Sequence, residues 1–140
     1  MKKLLFLLPL LILVACGGES VEYEDNVNID DQTLTIEGET TLEDGSVIHY
    51  EVTNFEISEI LHEGTTKVTD GTFSVDLDAS EYPAGEFEIY TAFLPYMQSE
   101  EIQEIYGESG ENLKGDKVSK LEDMEDDIKV IESRRTFEKQ

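Results

Sequence analysis

Thr65-Thr66-Lys67-Val68-Thr69-Asp70-Gly71-Thr72-Phe73-Ser74-Val75-Asp76-Leu77 is the stretch whose reading decides the fold class. Its two arms flank Asp70-Gly71, a pair suited to the two positive φ angles of a type I′ hairpin turn. In the second arm Phe73, Val75 and Leu77 face one way while Thr72, Ser74 and Asp76 face the other. A period of two is what a strand buried on one face requires. The stretch therefore predicts two strands joined as a hairpin.

The same period continues on both sides. Upstream, Leu34 and Ile36 alternate with Thr33, Thr35 and Glu37, and Ile48, Tyr50 and Val52 alternate with Val47, His49, Glu51 and Thr53. Between these runs Leu42-Glu43-Asp44-Gly45-Ser46 is a turn, because Asp-Gly tolerates positive φ. Phe55 and Ile57 fit either an extension of the second run or a new strand. Downstream, Pro83-Ala84-Gly85 turns the chain into Glu86 to Leu94, with Phe87, Ile89, Thr91 and Phe93 as the inward set, and the density of aromatics marks this as the centre of the core. After Pro95 the period lengthens. Ser99 is an N-cap, Glu100 and Glu101 suit the positive end of the helix dipole, and Gly107 can end a short helix in the left-handed conformation. Gly110 to Gly115 is loop, Val118 to Asp127 fits either loop or a second helix, and Ile128 to Phe137 is a late strand with Val130 or Ile131 inward according to register. Five to seven short strands separated by glycine-rich turns predict a mainly β chain folded as an antiparallel sandwich with one short helix.

The N-terminus has a different character. Lys2 and Lys3 precede an apolar core from Leu4 to Val14, which is shorter than the roughly 20 residues needed to span a bilayer. The run stops at Cys16, the single cysteine of the chain, and a Gly-Gly pair follows. Leu13-Val14-Ala15-Cys16 resembles the lipobox of bacterial lipoproteins. By that resemblance Cys16 receives a diacylglyceryl group, Leu13, Val14 and Ala15 are read by the processing peptidase, and cleavage falls before Cys16. Two acyl chains give stable anchoring where one gives only reversible binding. The expected organisation is a signal peptide over 1–15, a lipidated cysteine with an acidic tether over 16–30, and a sandwich domain over 31–140. Gly17 after the cysteine resembles the pattern of proteins sent on to the outer membrane where a cell has two membranes.

Composition excludes some partners. Loss of the leader with Lys2 and Lys3 leaves 8 basic residues against 33 acidic ones, a net charge of −25. Such a chain is repelled by phosphate backbones and has no basic cluster from which counterion release could drive nucleic-acid binding. Anionic headgroups repel it too, so the domain is expected to stand off the membrane. With one cysteine no internal disulfide can form, and stability must come from the core.

Four segments carry a further resemblance: Thr40-Thr41-Leu42-Glu43-Asp44-Gly45-Ser46-Val47-Ile48, Gly71-Thr72-Phe73-Ser74-Val75, Pro83-Ala84-Gly85-Glu86-Phe87, and Ile105-Tyr106-Gly107 with the following Gly110-Glu111-Asn112-Leu113-Lys114-Gly115. Together they resemble an uncharacterised group of exported lipoproteins of Gram-positive bacteria, in which proline is common where Glu43 stands here. The resemblance spans about residues 33 to 137 and implies an immunoglobulin-like sandwich with no catalytic residues. The hairpin followed by Pro-Ala-Gly is also similar to transthyretin-like and carboxypeptidase-regulatory-like modules.

Readings that need chemistry find little support in the pattern. An acylated Cys16 is no nucleophile, His49 belongs to the outward face of its strand, and His62 lies in a polar segment without a base or orienting partner at recognisable spacing. Zinc needs three or four ligands, which two scattered histidines do not supply. Calcium is better served by Asp76 and Asp78, two apart on one strand face, and by the run Glu122, Asp123, Glu125, Asp126, Asp127. Yet Asp76 to Glu81 lacks the loop glycine of an EF-hand, and Phe87 stands where its bidentate acid belongs. The expectation is no cofactor, no enzyme activity and no dedicated metal site. The preferred function is a lipid-anchored interaction or accessory module at the cell surface, with a cation- or small-ligand-binding surface lipoprotein as the alternative. A protein partner is expected at Tyr96, Ile102, Ile105 and Tyr106, although capping an open end of the core is the preferred reading of the stripe formed by Ile102, Ile105 and Tyr106.

Overall fold

The computed structural model describes residues 20–30, 32–121 and 127–140. They form a mainly β chain with two antiparallel sheets and one α-helix. The strands are β1 (Tyr23–Asp30), β2 (Thr33–Thr40), β3 (Val47–Asn54), β4 (Glu59–Lys67), β5 (Thr72–Asp78), β6 (Gly85–Phe93), β7 (Val118–Leu121) and β8 (Ile128–Lys139), and the helix is α1 (Glu100–Tyr106). One sheet has the order β1-β2-β5 and the other β4-β3-β6-β8-β7. Between them lie the side chains that alternation assigned inward: Leu34 and Ile36 from β2, Ile48 and Val52 from β3, Phe73 and Leu77 from β5, and Phe87, Ile89 and Phe93 from β6. Aromatic stacks run through this core, Tyr23 on Phe73 at 5.5 Å and Tyr82 on Phe87 on Phe137 at 5.4 and 5.1 Å. Each such pair contributes about 0.5–1.5 kcal/mol beyond area burial.

The Asp70-Gly71 stretch behaves differently from the expected hairpin. Both central residues have positive φ, 52° and 77°, and Thr69 and Thr72 exchange backbone hydrogen bonds of 2.8 and 3.1 Å. The turn forms, but its arms then part: β4 pairs with β3 in one sheet and β5 with β2 in the other. Buried Val68 is held to the β2–β3 connection, its N–H donating to Ser46 O and its carbonyl accepting from Gly45 N–H. A turn dipeptide specifies its own φ angles and the first rung beside it. Whether the arms stay paired is decided by what else each can join.

The acidic tether is also corrected. Tyr23 to Asp30 is β1, paired along its whole length with β2. Tyr23, Asp25, Val27 and Ile29 alternate inward, but an acid at the second of these positions hides the period of two. The domain therefore begins before residue 31, and Val21 N–H already donates to Lys114 O. Phe55 and Ile57 extend nothing; they lie in the β3–β4 turn and are exposed. Val118–Leu121 is an edge strand on β8 and not a second helix. In β8 both Val130 and Ile131 are buried, Ile131 in the main core and Val130 with Ala92 and Leu94 in a small cluster of its own. Helix α1 has the expected bounds, although the Ser99 side chain makes no capping bond and Gly107 has φ 90° with ψ 150°, outside the left-handed helical region.

Candidate functional site

Strand direction gives the molecule two distinct ends. At one lie Ser20, the β2–β3 connection, the Asp70-Gly71 turn and α1; at the other lie the β3–β4 turn, the β5–β6 connection and the end of β8. β3, eight residues long, separates them by about 25 Å at 3.3 Å per residue.

The stripe on α1 divides at the first end. Ile102 is buried and Tyr106 packs edge-on against Phe93 at 5.4 Å, its hydroxyl accepting the Glu43 N–H at 2.9 Å. Burial pushes the Tyr106 phenol above its ordinary pKa. Gln98 anchors the preceding 3₁₀ turn, Pro95–Met97, by accepting from Val47 N–H and donating to the carbonyls of Val47 and Leu94. Ile102 and Tyr106 thus cap the core, while Tyr96 and Ile105 are exposed with Met97 beside Tyr96. A cleft of about 670 Å³ opens nearby, lined by Ser20, Glu22, Glu39, Asp70, Asp116 and Lys117 among others.

At the opposite end Phe55, Ile57 and Ile60 are exposed within six residues of the β3–β4 turn. Sequence alone does not mark this tip, because Phe55 and Ile57 continue the period of two and read as strand residues. Close by, His62 shares a hydrogen bond through Nδ1 with the hydroxyl of Tyr82, a partner 20 residues away that spacing could not reveal. Burial, the foremost cause, pushes the Tyr82 phenol up to about 12.

Inside the sandwich a polar node joins the sheets. Asp25 accepts from Thr91 Oγ1 at 2.8 Å, Ser133 Oγ at 2.8 Å and Arg135 Nε at 2.6 Å, and Tyr23 donates to Thr91 at 2.8 Å. Burial holds the Tyr23 phenol protonated far above its usual range. Every group here has a partner within the fold, which makes the node a latch.

Among the described residues the calcium candidates Asp76, Asp78 and Asp127 belong to no cluster of three ligand groups. Asp76 accepts from Thr35 Oγ1 at 2.8 Å, and Asp78 is held below the usual carboxyl range by the Ser80 hydroxyl and then by the Ser80 N–H, which donates to it at 2.9 Å. Asp127 is described; Glu122, Asp123, Glu125 and Asp126 lie outside the described residues, as do Leu13, Val14, Ala15 and Cys16. On the outer face of the larger sheet His49 meets Glu51 and Glu63, with one ligand atom of each within 4.8 Å of the others. A count of histidines and cysteines does not reveal this set, because Glu63 joins it only through the register of β3 with β4.

Set against protein-family profiles, curated proteins and solved structures, the chain matches none.

Proposed function

We propose that the chain is a lipid-anchored, non-enzymatic module of the extracytoplasmic bacterial surface that engages a protein partner through the end of the sandwich farthest from its anchor. The lipobox-like Leu13-Val14-Ala15-Cys16 supports the anchor. An immunoglobulin-like topology is supported by the strand order. Lettered A, B, C, C′, E, F and G, β1 to β6 and β8 read A-B-E against C′-C-F-G, with β7 added beyond G. The residues between Cys16 and Ser20 reach at most about 14 Å, so the end that carries Ser20 stays close to the lipid. The observation that carries the interaction reading is the placement of Phe55, Ile57 and Ile60 at the other end, exposed on an otherwise strongly acidic domain. Clustered apolar side chains at a surface mark interaction sites. The partners of the two histidines are a carboxylate and a phenol, and neither supplies a hydroxyl nucleophile of the serine or threonine kind.

Palmitate labelling and fractionation after an alkaline wash check the anchor. Cys16→Ala is expected to lose the label and to leave the washed membranes or accumulate as precursor; retention indistinguishable from the parent overturns the anchoring. In intact cells a photo-crosslinker at position 57 is expected to give a discrete adduct with a second protein that one at position 76 does not give. Equal adducts from both positions, or none, count against the interaction end.

A further inference from the structure

We propose that His49, Glu51 and Glu63 form a binding site for a divalent transition-metal ion of the zinc class. The proposal is independent of the anchor and of the apolar tip. His49 and Glu51 stand two residues apart on the outward face of β3, and the register of β4 sets Glu63 directly across from Glu51. Both periodicities are rigid properties of a paired sheet, so the three side chains rise over one spot without any loop having to order. His49 Nε2 lies 3.1 Å from Glu51 Oε1, and the three ligand atoms fall within 4.8 Å of one another. Tetrahedral zinc with ligands near 2.1 Å holds neighbouring donors about 3.4 Å apart, so small side-chain rotations close the set.

Electrostatics gives the site a reason to bind. Two carboxylates directly opposite each other on adjacent strands repel, and an intervening cation removes that repulsion. The nearest arginine does not serve: Arg134 lies over the Tyr90 ring at 4.5 Å and pairs with Glu88 and Glu132. Tyr90, across from Glu51 on β6, sets its ring edge-on to His49 and forms one wall. The donor set decides the class of ion. An imidazole nitrogen with two carboxylate oxygens suits zinc and its neighbours, whereas calcium takes six to eight oxygens and gains nothing from the nitrogen. Among the described residues the acids on the outer face of the smaller sheet, Glu24, Glu37, Glu39, Asp76 and Asp78, belong to no such cluster of three ligand groups. Glu63 is exposed, so the three side chains leave the fourth ligand of a tetrahedral ion to water.

The test titrates the full chain, purified in detergent, with Zn²⁺ alone and with Ca²⁺ at equal ionic strength. Calorimetry is expected to show one equivalent of Zn²⁺ bound at least tenfold more tightly than Ca²⁺, with the His49 imidazole resonances shifted and those of His62 unmoved. His49→Ala and Glu63→Gln should each weaken Zn²⁺ binding tenfold or more, and His62→Ala should leave it unchanged. Glu63 is exposed, so its variant reads binding without a question of folding. Unsaturable uptake of several equivalents, parity with Ca²⁺, or variants that bind like the parent each overturn the site and assign the affinity to general surface acidity.

Discussion

Asp25 occupies a position of β1 where alternation asks for an apolar side chain, and its side chain is 1% exposed. A carboxylate there persists because three donors from β6 and β8 reach it, and the same contacts tie the first strand of the smaller sheet to the larger one. Asp25→Asn keeps the volume but sets an amide N–H₂ against donors already committed. It is expected to cost about 1–3 kcal/mol in denaturant melts, the penalty of unsatisfied buried polar groups. A change within about 0.5 kcal/mol, the range of surface substitutions, would return Asp25 to the solvated tether. Gly38 shows the same dependence on tertiary context: a Cβ would stand 2.0 Å from the Phe73 ring, which crosses it from the neighbouring strand. The glycine lies in mid-strand because an aromatic side chain needs its space.

At the scale of elements, α1 is a helix of seven residues and too short to persist without packing. The packing comes from one face only, and that face is narrower than the sequence stripe. Ile102 is 4% exposed and Ile105 45%. Ile102→Asp is therefore expected to cost about 3 kcal/mol, through a charge buried without a partner, and Ile105→Asp less than about 0.5 kcal/mol. Thermal melts of the two variants check this, and equal losses would mean that α1 docks by a different face. The Asp70-Gly71 turn teaches a related point about strands. Its arms satisfy the local chemistry of a hairpin and yet serve as the crossing between sheets, since β3 and β2 each offer a longer ladder than the arms offer one another.

For the molecule as a whole, buried phenols set a limit on the alkaline side. Burial is the largest cause in each case: it raises Tyr82 and Tyr90 to about 12 and also raises Tyr23 and Tyr106, all from an ordinary value of 10. Above that ordinary value the unfolded chain releases protons that the fold retains, so the unfolded state binds fewer protons and stability falls as pH rises. The contribution is complete below pH 10 and disappears towards pH 12. Denaturant midpoints at successive pH values, read beside phenolate absorbance, are expected to decline across that window, and Tyr82→Phe should flatten the decline. A midpoint that stays level from pH 10 to 12 would mean the phenols titrate as freely in the fold as outside it.

What could be read along the chain was whatever depends on neighbours in sequence. Period two in Leu34 and Ile36, in Phe73 to Leu77 and in Phe87 to Phe93 placed the core residues, and the longer period after Pro95 placed α1 to the residue. These patterns carry enough apolar area to decide which face is buried whichever strand lies alongside. The tertiary structure decided everything that depends on which strand that is. It drew Tyr23–Asp30 into the fold through donors more than 60 residues away, parted the arms of the central turn, and gave His62 its phenol. It also set Glu63 beside His49 and Glu51. Pairing partners and register are chosen by the summed ladder and core energies of whole sheets, and no local stretch of sequence contains that sum.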